Sequence, residues 1–101
     1  MDYEQIEKLT QRGNTSPEAI HRRLVATRLA TTNMTQKELA EHAGIKYTTF
    51  RSQEQSGAPS VKMMSYYLAN HQVDFNFILG GDPSRLPADT RDAILRNLSE
   101  L

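Results

Sequence analysis

Apolar residues recur along this chain at helical spacing and never alternate with polar ones between turn markers, so the pattern predicts helices and no strand. Ser16-Pro17-Glu18 opens the first clear helix. Serine is a good N-cap, proline at the first helical position gives up an N–H that has no partner there anyway, and Glu18 falls in the first turn. Ile20, Leu24 and Thr27, continued by Leu29, mark the inner face of a helix expected to end at Asn33, a residue that tolerates the left-handed conformation. Thr35-Gln36-Lys37-Glu38 has the form of a capping box, with Leu39 and Ala43 inward behind it and Gly44 as the stop. Ile45 is a lone apolar residue in the turn, and residues 47–55 form a third helix anchored by Phe50.

Ser56-Gly57-Ala58-Pro59 breaks the chain again. Ser60 caps a helix whose inner face is expected at Val61, Met64, Tyr67 and Leu68, and Asp74 caps a short one over Phe75-Asn76-Phe77-Ile78-Leu79, closed by Gly80-Gly81. After a linker at Asp82-Pro83-Ser84, a last helix from Pro87 carries an apolar stripe at Ile94, Leu95 and Leu98. That stripe either covers the chain's own core or mates with a second copy. Tyr3, Ile6 and Leu9, spaced by three, allow one more helix at the N-terminus, or a frayed arm.

A length of 101 residues suits one domain with a feasible core. The absence of cysteine removes disulfides, thiolate metal sites and cysteine nucleophiles, and fits a reducing, cytoplasmic setting. The acidic start lacks a secretory h-region, and no apolar run is long enough to span a membrane. Formal net charge is zero, but its distribution is uneven: residues 21–62 sum to +4 and each flank to −2. A basic middle between acidic ends suggests one surface suited to an anion. His21, His42 and His71 have no metal-ligand spacing. No nucleophile triad, carboxylate pair or phosphate loop stands out, so the chain is expected to need no cofactor and to be no enzyme.

The two short segments around Gly44 make the strongest motif. Two helices crossing steeply about a three- or four-residue turn need a small residue at the crossing, supplied by Ala40, and a turn residue free to take positive φ, supplied by Gly44. They also need an apolar plug, Ile45, and an anchor five residues on, Phe50. Thr35 through Ile45, with Thr48-Thr49-Phe50, Glu54 and Pro59-Ser60, resembles the helix-turn-helix of the lambda-repressor and Cro-like (Xre) family. Val73 through Asp82 resembles the fifth-helix segment that ends these domains in phage-type repressors.

The resemblance implies an all-α, five-helix DNA-binding domain over residues 16–82, an arm or short helix at 1–15, and an extra C-terminal helix within 83–101 as a possible dimerisation segment. It implies that Gln36 contacts a phosphate, that Tyr47, Thr48 and Ser52 face base edges in the major groove with Arg51 beside them, and that Lys37, Lys46 and Lys62 approach phosphates. It also pairs Arg28 with Glu54. Lys46 stands where the family has a Ser or Thr cap, and Gln53 where it has a Trp, Tyr or Leu. The loop between Glu54 and Pro59 is one residue short, and the turn around Thr31-Thr32-Asn33 one residue long. The implied function is a sequence-specific transcriptional regulator, a repressor binding double-stranded DNA as a homodimer. Its competitors are an antitoxin-type autorepressor that also binds a partner protein, and a protein-interaction module that has lost DNA binding.

Overall fold

Every regular element of the computed structural model, which describes residues 1–101, is an α-helix: α1 (Tyr3–Thr10), α2 (Pro17–Thr31), α3 (Gln36–Ala43), α4 (Tyr47–Ser56), α5 (Val61–His71), α6 (Phe75–Gly80) and α7 (Ala88–Glu100). None is long and apolar enough to cross a membrane. Most of them begin where a side chain can accept an orphan N–H. Ser16 accepts from Ala19, Thr35 from Glu38 and Ser60 from Met63, and Asp2 forms a capping box with Gln5.

The long helix α2 is the hub, packing against α4, α6 and α7. It buries Ala19, Ile20, Leu24, Ala26 and Thr27, and the core closes around them with Leu39, Phe50, Met63, Tyr67, Phe77 and Ile78. The stripe of α7 lies inside this core: Ile94 is fully enclosed, and Leu95 and Leu98 nearly so. It covers the chain's own interior, which leaves the outer face of α7 for any second copy. The N-terminal segment is a helix rather than a frayed arm. Eight residues are marginal alone, and α1 is held by packing on α7 and by the buried Arg23.

Arg23 is the residue that composition alone misassigns. It counts toward the basic middle, yet its side chain is 1% exposed and has no carboxylate partner. Its guanidinium donates instead to five carbonyls: Thr10 at 3.0 Å, Gln11 at 2.8 Å, Asn14 at 2.7 Å, Ile78 at 3.3 Å and Leu79 at 3.2 Å. Thr10, Gln11, Ile78 and Leu79 are at the C-terminal ends of α1 and α6, where the helix dipole is negative and carbonyls lack intrahelical partners. Burial pushes the guanidinium pKa down from its ordinary value.

Four local expectations change. Leu29 is 47% exposed rather than inward, because the buried face of α2 runs through Arg23 and Thr27. The inner face of α5 is Met63, Met64 and Tyr67; Val61 and Leu68 point outward at 67% and 44% exposure. Thr32 is extended and ends α2, and Asn33 does not take the left-handed conformation. Asp74 occupies the N-cap position of α6, but its side chain makes no cap bond.

Candidate nucleic-acid interface

The segment Thr35–Ser56 is built from two short helices and a three-residue turn. α3 has only eight residues, so its ends decide whether it forms. At its start the Glu38 N–H donates to Thr35 Oγ1, and the Thr35 N–H to Glu38 Oε1, both at 3.1 Å. The Thr35 backbone N–H, helped by the Thr35 side chain, holds the Glu38 carboxyl below the usual carboxylate range. At its end Gly44 takes φ 70°, so that its N–H returns to Glu41 O and that of Ile45 to Ala40 O. Lys62 Nζ donates to Gly44 O at 2.7 Å and thereby ties α5 to the turn. Leu39 and Ala40 are buried, and Ile45 packs partly buried against the core.

α4 is fixed by its inner edge, where Phe50 is fully buried and Glu54 nearly so. The carboxylate accepts from Arg28 Nε at 2.9 Å and Nη2 at 3.0 Å, and from Gln36 Nε2 at 2.9 Å. This pairing holds the Arg28 guanidinium more firmly protonated than usual, mainly through its hydrogen bonds to Glu54. The Arg28–Glu54 pair thus forms despite the longer turn after α2. Gln53 finds a polar role at its half-buried position, its Oε1 accepting from the Ser60 N–H at 2.9 Å. It joins α4 to the cap of α5 where an apolar residue is expected to pack. The short loop between them is closed by Gly57 at φ 65°, where a Cβ would collide with the Pro17 carbonyl.

The outer edge of α4 is open. Tyr47, Thr48, Arg51, Ser52, Gln55 and Ser56 line one shallow groove. Thr48, Arg51, Ser52 and Gln55 fall at i, i+3, i+4 and i+7, so they share a helix face. Gln55 is the addition to the expected set, and its i+7 spacing from Thr48 is the signal that identifies it. Lys46 occupies the N-cap position without a side-chain cap bond, so the first amides of α4 keep their donors free on the exposed side. Tyr47 is 37% exposed, and its ring is the one large apolar surface on this face.

A second depression beside the first is lined by His21, Val25, Arg28, Gln36, Arg51, Glu54 and Gln55. It brings Gln36 and Arg51 together, but Gln36 is not wholly free for a phosphate because its amide also serves Glu54. Lys62 is likewise engaged at Gly44 O, although an ammonium keeps two further donors. Lys37, Lys46 and Arg51 are exposed and in no salt bridge. The acids nearby are Glu38 and Glu41 on the exposed side of α3. His21 lies outside the expected set; its Nδ1 stands 2.7 Å from the Glu54 carbonyl, 33 residues away in sequence. Nowhere do three His, Asp or Glu side chains converge in a way that could hold a metal ion. No family model matches this chain, and neither does any curated protein or solved structure.

Proposed function

We propose that the chain is a sequence-specific DNA-binding regulator, most simply a repressor, of lambda-repressor-like architecture with α1 and α7 added to its five central helices. In this reading α4 enters the major groove. One observation supports it above the rest: α4 is locked from behind by Phe50 and the Arg28–Glu54 pair while its outer face, Tyr47 apart, is exposed and polar. A helix held rigidly on one side and bearing hydroxyl, amide and guanidinium groups on the other suits the reading of base edges. The role division follows. Thr48, Arg51, Ser52 and Gln55 read bases with Tyr47 beside them, and Lys37, Lys46, Lys62 and the amides at the starts of α3 and α4 meet phosphates. Gln36 contributes through the bond that orients Glu54 and with its remaining amide atoms.

One such head buries little DNA surface, so two copies on half-sites about 34 Å apart supply the affinity. Selection of bound sequences from random duplexes tests the proposal directly. An enriched motif with two-fold symmetry, bound less tightly as salt rises, is the expected result. Thr48→Ala and Arg51→Ala then shift the enriched sequence. If neither substitution alters it, the reading face is assigned wrongly; if no sequence is enriched at low salt, the function is.

A further inference from the structure

We infer that His21, on α2, is a proton-dependent phosphate contact beside the reading helix, an inference that rests on the DNA-binding function proposed above. His21 Nδ1 lies 2.7 Å from the Glu54 carbonyl oxygen, in the last turn of α4. A carbonyl only accepts, so Nδ1 must carry the proton, and in the neutral ring Nε2 is left as a bare acceptor. A neutral His21 in this position therefore offers a phosphate a lone pair and repels it. A protonated His21 keeps the bond to Glu54 and gains an Nε2–H donor with full charge. The ring lines two adjoining depressions, one with Arg28, Gln36, Arg51, Glu54 and Gln55, the other with Pro17, Glu18, Arg22, Gln55 and Ser56.

The charged groups around the ring favour an anion on the first side. Glu54 is neutralised by Arg28, and Arg51 stands exposed. On the second side Glu18 opposes an anion, and the Arg22 guanidinium is turned to Leu98 O at 3.2 Å. A phosphate that settles on the Arg51 side thus meets Arg51, Gln36 and His21 together, and its arrival draws a proton onto the ring. The protonated ring also sits at the C-terminal end of α4, where the helix dipole favours a cation.

The test compares wild type with His21→Asn, whose amide nitrogen stands in for Nδ1 and preserves the bond to Glu54 while deleting Nε2. With the selected duplex, wild-type affinity falls about tenfold more than that of H21N as pH rises from about 5.5 to about 8. Over the same range the wild-type salt slope becomes shallower by about 0.9 relative to H21N. His42 and His71 are common to both proteins and cancel in the difference. Calorimetry of the wild type in two buffers of different ionisation heat reads the proton directly and needs no variant; uptake on binding is expected. Tight duplex binding with no proton uptake, or the same pH dependence in H21N, overturns the role of His21 and leaves the DNA-binding function standing. Failure of the wild type to select any duplex overturns both.

Discussion

Removing the Glu54 carboxylate is the most informative perturbation of the head, because one side chain there answers to three helices. Glu54→Ala deletes both bonds to Arg28 and the bond from Gln36, at a site where the glutamate side chain is 4% exposed and the arginine 18%. What remains is a mostly enclosed guanidinium with no counter-charge. Breaking such a pair from one side costs about 3–5 kcal/mol, since the desolvation of the surviving charge is no longer offset. A domain of this size has about 5–15 kcal/mol in total, so the variant loses a large share of its stability. At about 4–8 °C per kcal/mol, even the lower figure lowers Tm by about 12–24 °C. Urea and thermal unfolding followed by circular dichroism measure this. The double variant Arg28→Met with Glu54→Leu is expected to recover most of the loss, because it removes both charges and restores apolar packing. It should still bind DNA weakly, since Gln36 and α4 lose their tie. A loss below about 1 kcal/mol for E54A would refute the reasoning, as would a double variant less stable than E54A.

Two glycines with the same left-handed conformation should respond unequally. Gly57→Ala, whose Cβ would strike the Pro17 carbonyl, loses about 3 kcal/mol or more, whereas Gly44→Ala, which meets only the end of the flexible Lys62 side chain, loses about 1 kcal/mol of left-handed strain in the same unfolding assay. Lys37→Ala is expected to weaken all duplexes alike and to lower the salt slope by about 0.9, while Arg51→Ala changes the preferred sequence; competition binding with random and selected duplexes separates the two. Because the capping box holds the folded Glu38 carboxyl below its ordinary range, the stabilisation is complete above that range and disappears as pH falls through the depressed value. Glu38→Gln should therefore be destabilised near neutrality and lose stability less steeply than wild type on acidification, as thermal unfolding across an acid pH series will register.

What could be read from the sequence was what local chemistry decides. Ser16-Pro17, the Thr35–Glu38 box, Gly44 and Ser60 act within one turn of themselves, and each is found in its expected position with its expected bond or dihedral. Faces of short helices were less legible. On α5 the spacing of Val61, Met64, Tyr67 and Leu68 places Met64 and Tyr67 inward as observed, but only the elements packed against the helix bury Met63 and leave Val61 and Leu68 outside. Within the head the same division holds. The outer residues Thr48, Arg51 and Ser52 follow from periodicity once Phe50 is inward, but the ties of Gln36 to Glu54, Lys62 to Gly44 and His21 to the Glu54 carbonyl join residues 18 to 33 positions apart. No local pattern encodes those.

Charge shows the same limit most clearly, and it bears on whether a neutral protein can be expected to bind DNA at all. Arg23 spends its charge inside the fold against the carbonyl ends of α1 and α6, and Arg28 cancels Glu54. The cations left outward in the central segment gather near the turn: Lys37, Lys46, Arg51 and Lys62. The acids that bring the total to zero include Asp2, Glu4 and Glu7 near α1, and Asp89, Asp92 and Glu100 on α7. Those two helices pack on one another, and α7 packs on α2 as well. At physiological ionic strength charges more than about 8 Å apart are largely screened. A phosphate at the start of α4 therefore responds to the three lysines and Arg51, offset by Glu38 and Glu41 on α3, far more than to the acids of α1 and α7. The relevant quantity is the local surplus around the turn, and a formal sum of zero over the chain is no obstacle to it.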